Sequence, residues 1–153
     1  MDTSALLARQ AHRLIQIGIS LFLFAALVGL AVPQFTVPRL ALSAHLIGIL
    51  QGIFFVAVAQ AWPRLTLSPT MSKGTFCLLV YGGIAALASN LLAAAWGAGN
   101  SIMPIAAGAA HGAPFQEAVI NIGLRSAGAA LIAALVLILW GLRLRVVETK
   151  RTA

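Results

Sequence analysis

Four long apolar stretches occupy most of this chain and decide what it can fold into. They cover residues 14–32, 40–61, 75–97 and 118–142. The first three contain no charged residue, and the fourth contains only Arg125. Because roughly 20 apolar residues in a helix cross the hydrocarbon core of a bilayer, each stretch can span a membrane. The sequence therefore predicts an all-α fold, an antiparallel bundle of four transmembrane helices, with residues 1–153 forming a single membrane domain.

The charge distribution predicts how this bundle is oriented. The net charge of +7 would suit a nucleic-acid-binding protein, but only 8% of the residues are charged and mean hydropathy is +0.99. One side of the bundle carries eight of the basic residues: Arg9, Arg13, Arg64, Lys73, Arg143, Arg145, Lys150 and Arg151. The first hairpin loop has only Arg39, and the third loop has none. This positive-inside pattern predicts both termini in the cytoplasm, a bacterial inner membrane location and no nucleic-acid partner.

A lone histidine, His45, lies inside the second stretch. Ionisable side chains within membrane spans are rare and usually functional, and imidazole is a common metal and haem ligand. Gly48 and Gly52 follow His45 at helical spacing, so the three residues share one helix face. Such a flat face admits either a neighbouring helix or a planar ligand. The sequence leaves both interpretations open: simple helix packing with His45 hydrogen-bonded, or a cofactor site.

The other polar residues of the spans lie at similar depths. At about 1.5 Å per residue, His45 and Asn90 lie roughly 8 and 10 Å below the outer ends of their helices. Asn121 and Arg125 lie roughly 5 and 10 Å deep on the same basis, and Gln51 lies near the midplane. Polar groups in lipid need partners, so we expect a shared site inside the bundle or between subunits. Arg125 could bind an anionic group such as a haem propionate; alternatively it snorkels to the surface or pairs with Glu117.

The remaining candidates have simpler interpretations. His12 lies at the cytoplasmic membrane interface, and His111 in the loop before the fourth span could be a second ligand or an ordinary loop residue. Cys77, the single cysteine, is more typical of a small buried residue than of a haem ligand. The chain has no phosphate-binding loop, no GxSxG motif and only three acidic residues, so carboxylate acid–base catalysis and carboxylate-based proton transport are not expected.

Several segments taken together resemble hydroxylaminobenzene mutase. They are Ala44–Gly52, Trp62–Ser68, Trp96–Ala106 and Gln116–Ile120. The same superfamily includes styrene oxide isomerase, a four-span trimeric enzyme that binds haem b through a histidine equivalent to His45. Styrene oxide isomerase has an asparagine at the position of Gln51 and a tyrosine near the position of Asn90. The chain therefore resembles the mutase branch more closely.

This resemblance implies a redox-neutral membrane isomerase that converts an arylhydroxylamine to a 2-aminophenol, with haem iron as Lewis acid. It implies a homotrimer, haem b on His45, and Gln51 and Asn90 as catalytic residues that orient the substrate oxygen. Gly48, Gly52, Asn121 and Arg125 are the further residues expected to contact the cofactor. Phe54 or Phe55 could line the aryl pocket or simply pack.

Three alternatives remain at this stage. The first is a styrene-oxide-type epoxide isomerase that yields an aryl acetaldehyde. The second is a b-type cytochrome, which would need a second axial ligand from His111 or Met103. The third is a membrane protein with a structural or transport role and no cofactor.

Overall fold

The structure, a computed structural model, describes the backbone of residues 3–151 and the side chains of residues 3–143. Within this range the helices are α1 (Thr3–Ala31), α2 (Pro38–Ala61), α3 (Pro69–Trp96), α4 (Pro104–Ala107) and α5 (Pro114–Arg151). Short 3-10 turns, Val32–Gln34 and Trp62–Arg64, follow α1 and α2. Helices α1, α2, α3 and α5 are long and apolar enough to cross a membrane. The predicted all-α fold with four spans is therefore confirmed.

Proline marks the start of each helix after the first. Pro38, Pro69, Pro104 and Pro114 are the first residues of their helices, where the missing N–H has no intrahelical partner to lose and φ is already helical. Gly97 ends α3 with a φ of 64°, a left-handed conformation that glycine adopts without a Cβ clash. The sequence thus fixes where the spans begin and where α3 ends.

Glycines set the close approach of the helices. A Cβ on Gly52 would lie 2.6 Å from the Gly18 carbonyl oxygen, so α1 and α2 touch through their backbones. Gly82 packs against Leu131 in the contact between α3 and α5, and Gly83 packs against α2. Small residues at such contacts let membrane helices pack closely. Among the described residues, α1, α2 and α3 contact one another, whereas α5 packs on α3 alone of the long helices.

The two ends of the bundle differ in charge. We call the end where α1 and α3 begin the basic end, because it carries the described cations Arg9, Arg13, Arg64, Lys73 and Arg143. The opposite end, with α4 and the connection into α5, is called the loop end. Three further residues of the predicted charge pattern, Arg145, Lys150 and Arg151, lie outside the described side chains.

A buried hydrogen-bond network closes the basic end. The Gln10 side-chain oxygen accepts from the Trp62 indole at 3.1 Å and from the Ser72 hydroxyl at 2.5 Å, and all three residues are buried. This network ties α1 to α3 and to the turn after α2. It also explains why α1 begins at Thr3 rather than near the predicted residue 14: the amphipathic segment before the apolar stretch packs on the domain.

Candidate functional site

His45 is held in a defined orientation by helix α1. Its Nδ1 lies 2.7 Å from the Ala25 carbonyl oxygen. Because a carbonyl oxygen only accepts, Nδ1 is the nitrogen that carries hydrogen, and in a neutral ring the lone pair is then on Nε2. A metal-binding histidine is usually oriented by a hydrogen bond from its other ring nitrogen, the one that does not bind the metal, to a backbone carbonyl or a carboxylate. The geometry therefore fits an imidazole that offers Nε2 to a metal.

Gly29 provides the surface on which the His45 ring lies. A Cβ built on Gly29 would be 2.6 Å from Nδ1 and 2.7 Å from Cε1 of that ring. Any larger residue at position 29 would therefore push the imidazole out of its place. The His45 side chain is only partly buried, so it lies at the edge of the α1–α2 interface rather than in the core.

Gly48 and Gly52 face helix α1 rather than an open surface. A Cβ on Gly48 would lie 2.6 Å from the Ala25 Cβ, and both glycines are buried. Their contacts correspond to the helix-packing alternative, and in one protomer α1 covers the face that a planar ligand would need. Of the three residues predicted to share this face, His45 is the one with access to the protein surface.

Gln51 and Asn90 carry unpartnered polar atoms. The Asn90 Nδ2 donates to the Ala86 carbonyl at 2.9 Å, but its Oδ1 is buried and has no partner, and the same is true of Gln51 Nε2. Within residues 3–143 these are the two buried side-chain polar atoms without a hydrogen bond. Leaving such an atom unsatisfied costs about 1–3 kcal/mol. The two residues predicted to be catalytic are therefore the ones with hydrogen-bonding capacity to spare.

The Gln51 amide lies at the interface between α2 and α3. The Gln51 side chain packs against Gly83, and Gly48 lies opposite Leu87. Asn90 is buried on α3, seven residues or about 10 Å beyond Gly83 along the helix. His45, by contrast, contacts Ala25 and Gly29 of α1.

Asn121 and Arg125 lie away from both interfaces. Arg125 is exposed on α5, whereas Ile120 and Ala127 of the same helix are buried. Arg125 has no hydrogen bond or ion pair to any residue of the described chain, and neither has Asn121. A charge on an apolar, membrane-spanning surface needs a partner, which here would have to come from outside the protomer.

Glu117 has a structural role that the sequence reasoning missed. Its carboxylate accepts hydrogen bonds from the backbone amides of Gly99, Asn100, Ser101 and Gly112 at 2.8–3.3 Å. It therefore organises the loop between α3 and α5, and the alternative in which it pairs with Arg125 is wrong. The signal available in the sequence was one acidic residue beside a loop rich in glycine.

The remaining candidate residues lie either in the apolar core or on the exposed surface. Phe55 is fully buried in the core, and Phe54 is partly buried with its ring tilted against that of Phe55. His12 and His111 are exposed. Cys77, predicted to be buried, is exposed at the basic end, where it borders a cavity between the starts of α1 and α3.

Any metal bound by His45 would need ligands beyond the described side chains of a single copy of the chain. Within residues 3–143, no group of three or more His, Cys, Asp or Glu side chains could hold a metal ion. His45 can therefore contribute one ligand, and a macrocycle that supplies the other in-plane ligands is the type of cofactor that one oriented imidazole can hold.

Comparison with known proteins assigns the family. A model of the styrene oxide isomerase family matches residues 10–143. The chain belongs to the styrene oxide isomerase family. It is 44% identical to hydroxylaminobenzene mutase HabB of Ectopseudomonas oleovorans over 87% of this chain and 81% of that protein. It is 38% identical to hydroxylaminobenzene mutase HabA of the same organism, over 82% of this chain and 93% of that one.

No solved structure matches the chain. The family and the two relatives nevertheless confirm the predicted resemblance and show that the chain is an isomerase. Together with the four apolar helices, they describe an integral membrane isomerase.

Proposed function

We propose that this isomerase is a hydroxylaminobenzene-type mutase, which converts an arylhydroxylamine into the corresponding 2-aminophenol. The reaction breaks the N–O bond, forms a C–O bond at the ortho carbon and moves the displaced ring proton to nitrogen, so substrate and product are isomers. The names of the two relatives support this substrate class. The observation that carries the proposal is the pair of unpartnered amide atoms, Gln51 Nε2 and Asn90 Oδ1.

These atoms match the polar end of an arylhydroxylamine. Gln51 Nε2 can donate to the hydroxyl oxygen, and Asn90 Oδ1 can accept from an O–H or N–H of the substrate. Each bond would replace an unsatisfied buried group, so binding would recover the cost of leaving it unpaired. The surroundings are apolar and would keep water away from the electron-poor ring formed as the N–O bond weakens.

His45 is the residue that would hold haem b. Its orientation by Ala25 and Gly29 is the observation that fits the role of axial ligand. When bound, haem iron would supply a Lewis acid that polarises the N–O bond. An apolar groove of about 360 Å³ lies farther along the α1–α2 interface, between residues such as Phe22 and Ile53, on a different face of α2 from the Gln51 side chain.

The positions of His45 and Arg125 support a homotrimer with sites between protomers. Helix α5 packs on α3 and not on α1 or α2, so the exposed Arg125 lies on a different side of the protomer from His45. If Arg125 and Asn121 bind the propionates of the haem on His45, the two sets of residues come from different copies. We also propose that both termini face the cytoplasm at a bacterial inner membrane, which the excess of basic residues at the basic end supports.

Parallel turnover assays test the substrate class. The detergent-purified protein, supplied with haem, is given phenylhydroxylamine or styrene oxide, and the products are identified. We expect 2-aminophenol, a loss of about 100-fold in Gln51→Leu and Asn90→Leu, and little change in Gln34→Leu, a control at an exposed glutamine in the turn after α1. Phenylacetaldehyde as the main product would favour epoxide isomerisation instead, and full activity in both variants would refute the roles of the two amides.

Epoxide isomerisation is the second candidate, because the matching family is described as styrene oxide isomerase. The same two amides could bind an epoxide oxygen, but an epoxide offers no N–H or O–H to Asn90 Oδ1. The mutase substrate satisfies both unpartnered atoms and is therefore preferred.

A further inference from the structure

A cavity at the basic end combines cations with an apolar floor. It has a volume of about 380 Å³ and lies between the starts of α1 and α3. Its lining residues are Leu6, Arg9, Gln10, Arg13, Lys73, Phe76 and Cys77. Arg13 and Lys73 are exposed and form no hydrogen bond or ion pair within residues 3–143. Two cations thus border one cavity without an anion of the described chain to neutralise them.

The described chain has no carboxylate that could serve these cations. Of its three acidic residues, Asp2 and Glu148 lie outside the described side chains, and Glu117 is bonded to backbone amides at the loop end. A second copy in the same membrane orientation would have its Glu117 at the loop end. That carboxylate would therefore be far from Arg13 and Lys73 at the basic end. Within residues 3–143, no carboxylate is therefore available to Arg13 and Lys73.

A second cavity, an apolar groove, lies between the same two helices at residues farther from the basic end. It has a volume of about 510 Å³ and also runs between α1 and α3. Its lining residues are Gln16, Ile17, Ser20, Leu21, Phe24, Ile84, Leu87, Ala88 and Leu91. The groove begins one helical turn beyond Arg13, and the distance from Arg13 to Phe24 is about 16 Å along α1. This length is close to one leaflet, half of the roughly 30 Å hydrocarbon core.

We propose that the α1–α3 groove is a binding site for an anionic phospholipid of the leaflet at the basic end. The phosphate would bind Arg13 and Lys73, and an acyl chain would follow the groove past Ile17 and Leu21 towards Phe24. Basic pockets between transmembrane helices favour anionic headgroups for the same electrostatic reason. The site is separate from His45, Gln51 and Asn90 and does not depend on the proposed reaction.

Cys77 provides a native reporter for this site. It is exposed, it lines the basic cavity and it is the single cysteine of the chain. We would measure the rate at which N-ethylmaleimide alkylates Cys77 in the delipidated, detergent-purified protein. Titrations with dioleoylphosphatidylglycerol, dioleoylphosphatidylcholine and glycerol 3-phosphate separate the contributions of headgroup charge and acyl chain. We expect saturable protection by phosphatidylglycerol alone.

A matched pair of charge variants tests the headgroup contact. At about 1 kcal/mol for each cation, R13Q/K73Q should weaken phosphatidylglycerol protection by about 30-fold. The control R64Q/R143Q removes the same charge from exposed positions at the same end and should leave protection within about threefold of wild type. Equal losses in both variants would mean diffuse surface attraction and would overturn the proposal.

A second pair of variants tests the acyl groove. Ala88→Phe fills the α1–α3 groove and should reduce protection, whereas Ala57→Phe fills the α1–α2 groove and should not. Protection by glycerol 3-phosphate, or equal protection by the two phospholipids, would also overturn the proposal. So would a Cys77 that is unreactive in the lipid-free protein, because another copy of the chain would then cover the groove.

Discussion

Replacing Gln51 by methionine should make the protein more stable and much less active. Methionine has nearly the same length and shape, but it removes the buried Nε2 that has no partner. Because an unsatisfied buried donor costs about 1–3 kcal/mol, we expect the free energy of unfolding to rise by about that amount. The same change removes the donor to the substrate oxygen, and turnover should fall by about 100-fold.

The matched control is the same substitution at Gln10. Its side-chain oxygen accepts from Trp62 and Ser72, so Gln10→Met leaves two buried donors unpaired. At about 1–3 kcal/mol for each donor, it should lower the free energy of unfolding by about 2–6 kcal/mol. Equilibrium unfolding in detergent, with turnover measured on the same preparations, gives both quantities. If Gln51→Met destabilises the protein as Gln10→Met does, the Gln51 amide is satisfied in the native protein and the reasoning is refuted.

Three further experiments test other parts of the structure. Gly29→Ala should displace the His45 ring and lower haem affinity about tenfold or more, while Gly74→Ala, with no atom near its added Cβ, should leave haem binding unchanged; equal spectra would contradict the contact. Glu117→Ala removes the acceptor of four backbone amides and should expose the loop after α3 to proteolysis, which an unchanged digestion pattern would rule out. Chains with His45→Ala and chains with Arg125→Gln, each inactive alone, should partly recover activity when they are mixed in one oligomer. The reason is that the intact Arg125 of one chain would then meet the intact His45 of the other. No recovery would argue against a site shared between protomers.

The all-α fold class with four spans was predictable because hydropathy alone locates membrane-spanning helices. The apolar stretches locate four helices, and the prolines at Pro38, Pro69 and Pro114 mark where three of them begin. The early start of α1 at Thr3 was not predictable from the apolar stretch. The reason is that its first three turns are held by Gln10 in a network with residues far away in sequence.

The site was predictable residue by residue but not as an arrangement. His45, Gln51 and Asn90 stand out because polar groups are costly in a membrane. That His45 lies against Gly29 while Gln51 lies against Gly83 depends on which helix covers each face of α2, and one sequence contains no such information. For the same reason, the sequence alone could not decide whether Gly48 and Gly52 face a cofactor or a neighbouring helix.

The contacts of Glu117 illustrate a different limit. A carboxylate that binds backbone amides needs no complementary side chain, so no charge pattern indicates it. Its partners are set by the left-handed turn at Gly97 and by the path of the loop up to Gly112. Sequence reasoning therefore looked for a cation and considered Arg125.

The most direct test of the central claim is haem-dependent turnover of phenylhydroxylamine by the wild-type protein and by His45→Ala. The account predicts that wild type supplied with haem shows a Soret band and forms 2-aminophenol without any added oxidant or reductant. It predicts that His45→Ala, although folded, lacks both the band and the product. A His45→Ala protein that retains haem and activity, or a wild type that is active without haem, would contradict the assignment of His45 as the ligand on which the reaction depends.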